Sequence, residues 1–258
     1  MTVIELSKII EKVAPPEMMW CGDNVGLLVG RRGAEVTKAL VALDVSLAVI
    51  AEAKDWGAEV ILTHHPVIFH PVKSVTDADA AGRRITALIQ SDIAAIALHT
   101  NYDGAWDGVN DELARRLQLA DIEVLANAPG DYLRAGTVSE IAVPEFAEHA
   151  AKCLNAKGLR FYDSGKPVRR VATGSGGSGD KFARAIAEGC DTYVSGDISH
   201  DVFCDARDMG LNLIDAGHFA TEDVMCELLI RQLSEFAPGL KTRKSVNSLA
   251  PFGDLSCR

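Results

Sequence analysis

The sequence has no CxxC pair. Its six cysteines, Cys21, Cys153, Cys190, Cys204, Cys226 and Cys257, stand singly along 258 residues, which argues against both a disulfide framework and a thiolate zinc site. Basic charge is also short: 26 basic side chains face 36 acidic ones, for a formal charge of −10. Nucleic acid and anionic lipid are therefore not expected as partners. Long apolar runs are missing too, since none approaches the ~20 residues that a bilayer span needs. The opening MTVIELSKIIEKVAPP carries acids and reads as an amphipathic helix ended by Pro15-Pro16, so a cytoplasmic location is the default expectation.

What is present suits a globular chain with a real core: 48% of the residues are apolar, enough for one large domain or two modest lobes. Short β-branched runs alternate with helix-length amphipathic segments. Strands are expected at 25–30, 39–44, 59–63, 94–100, 137–143, 159–163, 170–173, 192–196 and 211–215. Helices are expected at 46–56, 79–90, 109–118, 145–156, 179–188, 201–209 and 222–235. This is an α/β pattern. The Gly- and Pro-containing stretch ANAPGDYLRAGT (126–137) is the expected boundary between a first lobe, 1–125, and a second, 126–258, with the C-terminal segment allowed to pack back on the first. GAEVILTHHP (57–66) parallels GCDTYVSGDI (189–198), and AIALHTNYD (95–103) parallels LNLIDAGHF (211–219). Duplication of one design and the chance self-similarity of a βα rhythm both account for this.

Histidine is scarce as well, with seven in all, yet LTHHPVIFH (62–70) places three of them at the end of one apolar strand. In open α/β sheets ligands sit beyond the carboxyl ends of strands, where His64, His65, His99, Asp103, Asp197, Asp215 and His218 all fall. A lone histidine there reads as a satisfied core residue. Adjacent imidazoles before Pro66, which favours an extended residue ahead of it, suit two metal ions better than one. HTNYD adds His99 and Asp103, and GHFATE adds His218 and Glu222 four residues apart, with Thr221 as a candidate helix N-cap. The donor set is nitrogen and oxygen, fitting Zn, Fe, Mn, Co or Ni. Two such divalent ions, ~4 Å apart, would acidify a shared water and clamp a phosphoryl or carbonyl oxygen, which is hydrolase machinery.

THHPVIF, HTNYD and DAGHFATE, with DNVGLLVG (23–30) before them and TGSGGS (173–178) and SGDIS (195–199) between, resemble the Nif-three-like dinuclear metal-centre family, also called GTP cyclohydrolase I type 2 homologues. The likeness spans nearly the whole chain, in the short bacterial form without an inserted domain. It implies two similar α/β lobes with a dinuclear metal site in the cleft between them. It further implies His64, Asp103 and Glu222 on one ion, His65, His218 and Glu222 on the other, and a toroidal homohexamer. A shared family name does not fix a substrate.

Two functions follow as expectations. The first is a metal-dependent hydrolase of a small nucleotide-like or phosphorylated substrate, with His99 and, in reserve, Asp197 moving protons. The second is a non-catalytic metal-binding scaffold, metal chaperone or regulatory protein. TGSGGSGD (173–180) reads either as an oxyanion cradle or as a flexible turn, Asp23 and Asn24 as a turn cap more than as substrate contacts, and His70 as a surface residue. Asp197 and His200 read as cavity-lining groups or, for Asp197, as a helix cap. Trp106 reads as packing more than as a ring-stacking platform.

Overall fold

The structure, a computed structural model, describes residues 1–125 and 132–253. In chain order its elements begin with α1 (Val3–Val13), β1 (Gly26–Val29), β2 (Lys38–Ala42), α2 (Leu47–Trp56) and β3 (Val60–Thr63). There follow α3 (Ala80–Gln90), β4 (Ala94–Ala97), α4 (Thr100–Gly104), α5 (Val109–Arg116), β5 (Ala120–Val124) and β6 (Arg134–Ile141). Next come α6 (Val143–Leu154), β7 (Arg160–Tyr162), β8 (Val168–Thr173), α7 (Phe182–Ala187), β9 (Thr192–Ser195) and α8 (His200–Met209). The chain closes with β10 (Asn212–Asp215), α9 (His218–Glu222), α10 (Val224–Phe236) and β11 (Lys241–Lys244). Among the described residues no helix is long and apolar enough to cross a membrane.

The α/β expectation holds, as two compact units. The first comprises Met1–Gly108 and Met225–Leu249, and the second is built on Val109–Val224. The chain leaves the first unit earlier than the 125/126 boundary read from composition, because α5 packs on β5, β6 and β8 of the second sheet. Most of the Gly/Pro stretch chosen as that boundary, residues 126–131, lies outside the described residues. After α9 the chain returns, and β11 adds itself in parallel to the edge strand β2.

In the first unit the sheet order is β1-β4-β3-β2-β11, with β2, β3 and β4 parallel and β1 antiparallel to β4. In the second it is β5-β6-β8-β9-β10-β7, with β8, β9 and β10 parallel and β7 antiparallel to β10. Each sheet thus contains three successive parallel strands followed at one side by an antiparallel one. The correspondence of 57–66 with 189–198 and of 95–103 with 211–219 matches this topology strand for strand.

Parallel strands covered on both faces need apolar side chains on both, and VILT in β3 and TYVS in β9 are buried throughout. Leu40, Ala42 and Ile61 turn one face toward Val49, Ile50 and Ala53 of α2 and Ile85 and Leu88 of α3. Ala172, Tyr193 and Leu213 do the same against Phe182 and Ala185 of α7 and Ala206 of α8. The helices begin where capping chemistry allows. Thr2 and Glu5 form a capping box on α1, the Ser46 hydroxyl accepts from the Val49 amide on α2, and Asp79 accepts from the Gly82 amide on α3.

Candidate metal centre

Register is what assembles the first unit's candidate ligands. Ala42 pairs with Thr63 and Thr63 with Ala97, so β2, β3 and β4 end level, and the residues that follow each strand emerge together. The Leu98 amide then donates to the Thr63 carbonyl at 2.8 Å, and the His65 amide to the Leu43 carbonyl at 3.0 Å. His64, His65 and His99 come to one place, their candidate ligand atoms within 4.8 Å of one another. Asp103, buried at the end of the short helix α4, brings an oxygen to 3.7 Å from Nε2 of the fully buried His64.

Each ring is held by its other nitrogen. Nδ1–H of His64 donates to the Leu98 carbonyl at 2.8 Å, that of His65 to the Asp44 carboxylate at 2.9 Å, and that of His99 to Asp23 at 2.8 Å. An acceptor at Nδ1 fixes the tautomer and leaves the Nε2 lone pair for a ligand, the usual outer support of a metal-bound imidazole. Asp23 also accepts from the amide and hydroxyl of Thr100, and from the Asn24 amide at 2.7 Å. Burial pushes its carboxyl upward, but hydrogen bonds from His99 and Thr100 outweigh that and hold it at about 2. Asp23 is therefore an anion under His99 and not merely a turn cap. Asn24 ties the loop after β3 by donating to the Ile68 carbonyl.

The second unit repeats the device. His218 and Glu222 begin and end α9, so their i, i+4 spacing puts Nε2 and a carboxylate oxygen 2.9 Å apart. Nδ1–H of His218 donates to Asp197 at 2.7 Å. Asp197 adopts a left-handed φ of 50°, which Asp tolerates better than most residues. The preceding Gly196 lets the loop approach, since a Cβ there would lie 2.6 Å from the His218 amide nitrogen. Asp215 fixes the turn into α9 by accepting from the Gly217 amide at 3.0 Å, from the Ile198 amide and from Arg160.

The glycine loop has a third role that neither sequence reading described. Its amides at 174, 175 and 176 donate to the Val194 carbonyl, the Asn110 side chain and the Thr221 hydroxyl. Gly176, at φ +57°, seats the Glu222 carboxylate: a Cβ there would fall 1.8 Å from Oε1. Thr221 is correspondingly not the N-cap expected of it. It lies inside α9, whose cap is Gly217, and its hydroxyl donates back into the first turn.

Other expectations sort as follows. His70 is exposed, beside Phe69. Trp106 is 76% exposed. Asp197 accepts from His218. Phe69, whose ring meets that of His99 edge-on at 5.9 Å, and the orienting acceptor Asp44 were not singled out as site groups by sequence reasoning.

The donors suit divalent ions chemically. Ligand atoms bound at ~2.0–2.2 Å stand roughly 3–3.5 Å apart around one ion, depending on its geometry, and His218 Nε2 and Glu222 lie 2.9 Å apart, at the short end of that range. The buried acids are seated by surroundings that would otherwise have no reason to admit charge. The sequence profile of the family Duf34/NIF3 (NGG1p interacting factor 3) matches residues 1–249. The chain is 36% identical to the GTP cyclohydrolase 1 type 2 homolog of Clostridium perfringens over 229 residues, covering 86% of this chain and 87% of that one. It is 33% identical to the protein of the same name from Lactococcus lactis, covering 95% and 96%. In structure it is similar to a Bacillus cereus protein related to NIF3, with a TM-score of 0.91 at 26% identity over 99% of both chains. With a family profile over nearly its whole length and relatives above 30% identity, the chain belongs to the Duf34/NIF3 family.

Proposed function

We propose that the protein is a dinuclear metal-dependent hydrolase of a small nucleotide-like or phosphorylated molecule. The observation that carries this reading is the common arrangement of four histidines: each of His64, His65, His99 and His218 gives Nδ1–H to a fixed acceptor, so Nε2 is the ring nitrogen each would offer. His64, Asp103 and Glu222 would hold one ion, and His65, His218 and Glu222 the other, with Glu222 common to both. Bound divalent ions supply Lewis acidity and bring a water's pKa close to neutrality. His99 is the group assigned to proton transfer, since those two sets are complete without it. The Asp23 anion keeps Nδ1 protonated and the ring oriented, so proton exchange falls to Nε2. Asp197 positions His218. A nucleotide is the first substrate class to try, because the relatives carry the GTP cyclohydrolase name.

The test is a screen of metal-loaded protein against nucleotides and phosphoesters, with a chelated control. Metal-dependent turnover supports the reading, and a fully loaded protein that hydrolyses none of them overturns it. One observation favours a scaffold or metal-carrying role as second reading: Asp197, a reserve proton donor by sequence, is committed to His218. We also propose a homohexamer, on the family likeness, which light scattering tests directly.

A further inference from the structure

Sulfur plays no part in the donor sets above, yet the second unit carries two histidine–cysteine pairs at i, i+4 spacing. His149 and Cys153 lie on α6, and His200 and Cys204 on α8. Their surroundings differ. His149 Nε2, the atom nearest the Cys153 sulfur, is already hydrogen-bonded at 3.1 Å to the Leu117 carbonyl, and burial pushes the Cys153 thiol up, away from the thiolate a metal needs. That pair is packing.

His200 is exposed, Cys204 is half-buried beside it, and Sγ and Nε2 stand 3.6 Å apart. A tetrahedral ion with an M–S bond of ~2.3 Å and an M–N bond of ~2.05 Å holds those two atoms about 3.6 Å apart. No side-chain rearrangement is needed beyond replacing the proton the two atoms share. The helix beneath them is firmly ended, by a left-handed Gly210 at φ 68° whose amide donates to the Ala206 and Arg207 carbonyls. Because the two side chains already meet, chelation costs little further ordering. The segment HDVFCDARDM also carries three aspartates against one arginine, a field that favours a cation.

We propose that His200 and Cys204 form a separate, exchangeable site for one borderline-soft divalent ion of the Zn2+ type. Binding breaks the Cys204 S–H bond, sends that proton to solvent, and forms one metal–sulfur and one metal–nitrogen bond, with water at the two remaining positions. Soft thiolate beside imidazole selects Zn2+ or Co2+ over Mg2+ or Mn2+, so this site differs in preference from the nitrogen and oxygen sets.

Cobalt reads it out without any activity assay. Titrating the purified full-length protein with Co2+ should raise a near-ultraviolet thiolate-to-cobalt charge-transfer band, which nitrogen and oxygen donors cannot give whether or not the dinuclear centre loads. The band should saturate once one cobalt ion per chain is bound beyond those the dinuclear centre takes, vanish in Cys204→Ser, persist in Cys153→Ser, and require roughly tenfold or more cobalt in His200→Ala, at least the cost of losing an outer-shell partner. Zn2+ should also slow alkylation of Cys204, followed by mass spectrometry, in wild type and not in His200→Ala. No band in the wild type, or an undiminished band in Cys204→Ser, overturns the proposal, and circular dichroism identifies any variant that has lost its fold.

Discussion

Gly176→Ala should cost the protein its metal as well as some stability, and the two costs can be separated. At φ +57° an alanine bears the left-handed penalty of roughly 1–2 kcal/mol. Its Cβ would also lie 1.8 Å from Glu222 Oε1, nearest a carboxylate that is itself buried. Forcing an extra carbon into such a place typically costs a further ~1–3 kcal/mol, and the relief available is for Glu222 to swing away. Gly165 is the control. Its φ is +82° and a Cβ there would meet nothing within 4 Å, so Gly165→Ala has the backbone penalty alone. Denaturant unfolding of the metal-free proteins should rank wild type above Gly165→Ala, with Gly176→Ala about 2–5 kcal/mol below wild type. Elemental analysis after loading should show Gly165→Ala with wild-type divalent-ion content and Gly176→Ala depleted. If Gly176→Ala loads as wild type does, or falls no further than Gly165→Ala in stability, the loop is not the seat of Glu222.

Glu222→Ala should disturb both ions while His64→Ala chiefly affects one; equal and total loss from both by elemental analysis leaves the bridging role unsupported. His99→Gln should retain metal while turnover on whichever substrate the screen identifies falls about a hundredfold or more, and full activity in that variant removes His99 from proton transfer. Glu52 on α2 holds the segment after β11, accepting from Arg243, Ser245, Val246 and Asn247. Burial pushes its carboxyl up, but the Ser245 and Asn247 hydrogen bonds bring it below the ordinary 4.5. A depressed folded pKa gives stability that is whole above 4.5 and fades as pH drops through the folded value. Glu52→Gln should therefore cost ~2 kcal/mol near neutral pH and soften the acid limb of the stability profile, and an unchanged limb counts against the latch.

The parts of the fold that announced themselves are those whose energy comes from local pattern. Strands β2, β3, β9 and β10 are apolar and β-branched because both faces are covered, and their helices carry caps and periodicity. β11 has the sequence KTRK, a polar edge strand with only alternate residues partly covered, so nothing apolar marks it. α4 has five residues, too few to show a period. Thr221 looked like a cap because Ser and Thr are good ones. A glycine two residues before α9's own second residue took the position instead, and the hydroxyl was left to serve the glycine loop.

The candidate ligands were legible by residue type, whereas most of their supports were not, because those come from neighbouring strands that register alone brings together. Asp44 and His65 are 21 residues apart, and so are Asp197 and His218. In each case the acid lies two residues beyond one parallel strand, and the histidine lies just beyond the next, with one helix between. A crossover of that length returns the chain alongside itself with the strand ends level. An acid so placed must therefore face the side chains leaving the following strand. The two units use the device one strand out of step: β2 and β3 in the first, β9 and β10 in the second, although topology equates β3 with β9. The orienting acid thus follows from βαβ geometry at whichever neighbouring pair carries the histidine. That is why an isolated strand-end aspartate such as Asp197 reads as a catalytic acid by sequence, whereas its parallel neighbour shows it hydrogen-bonded to a candidate ligand, His218.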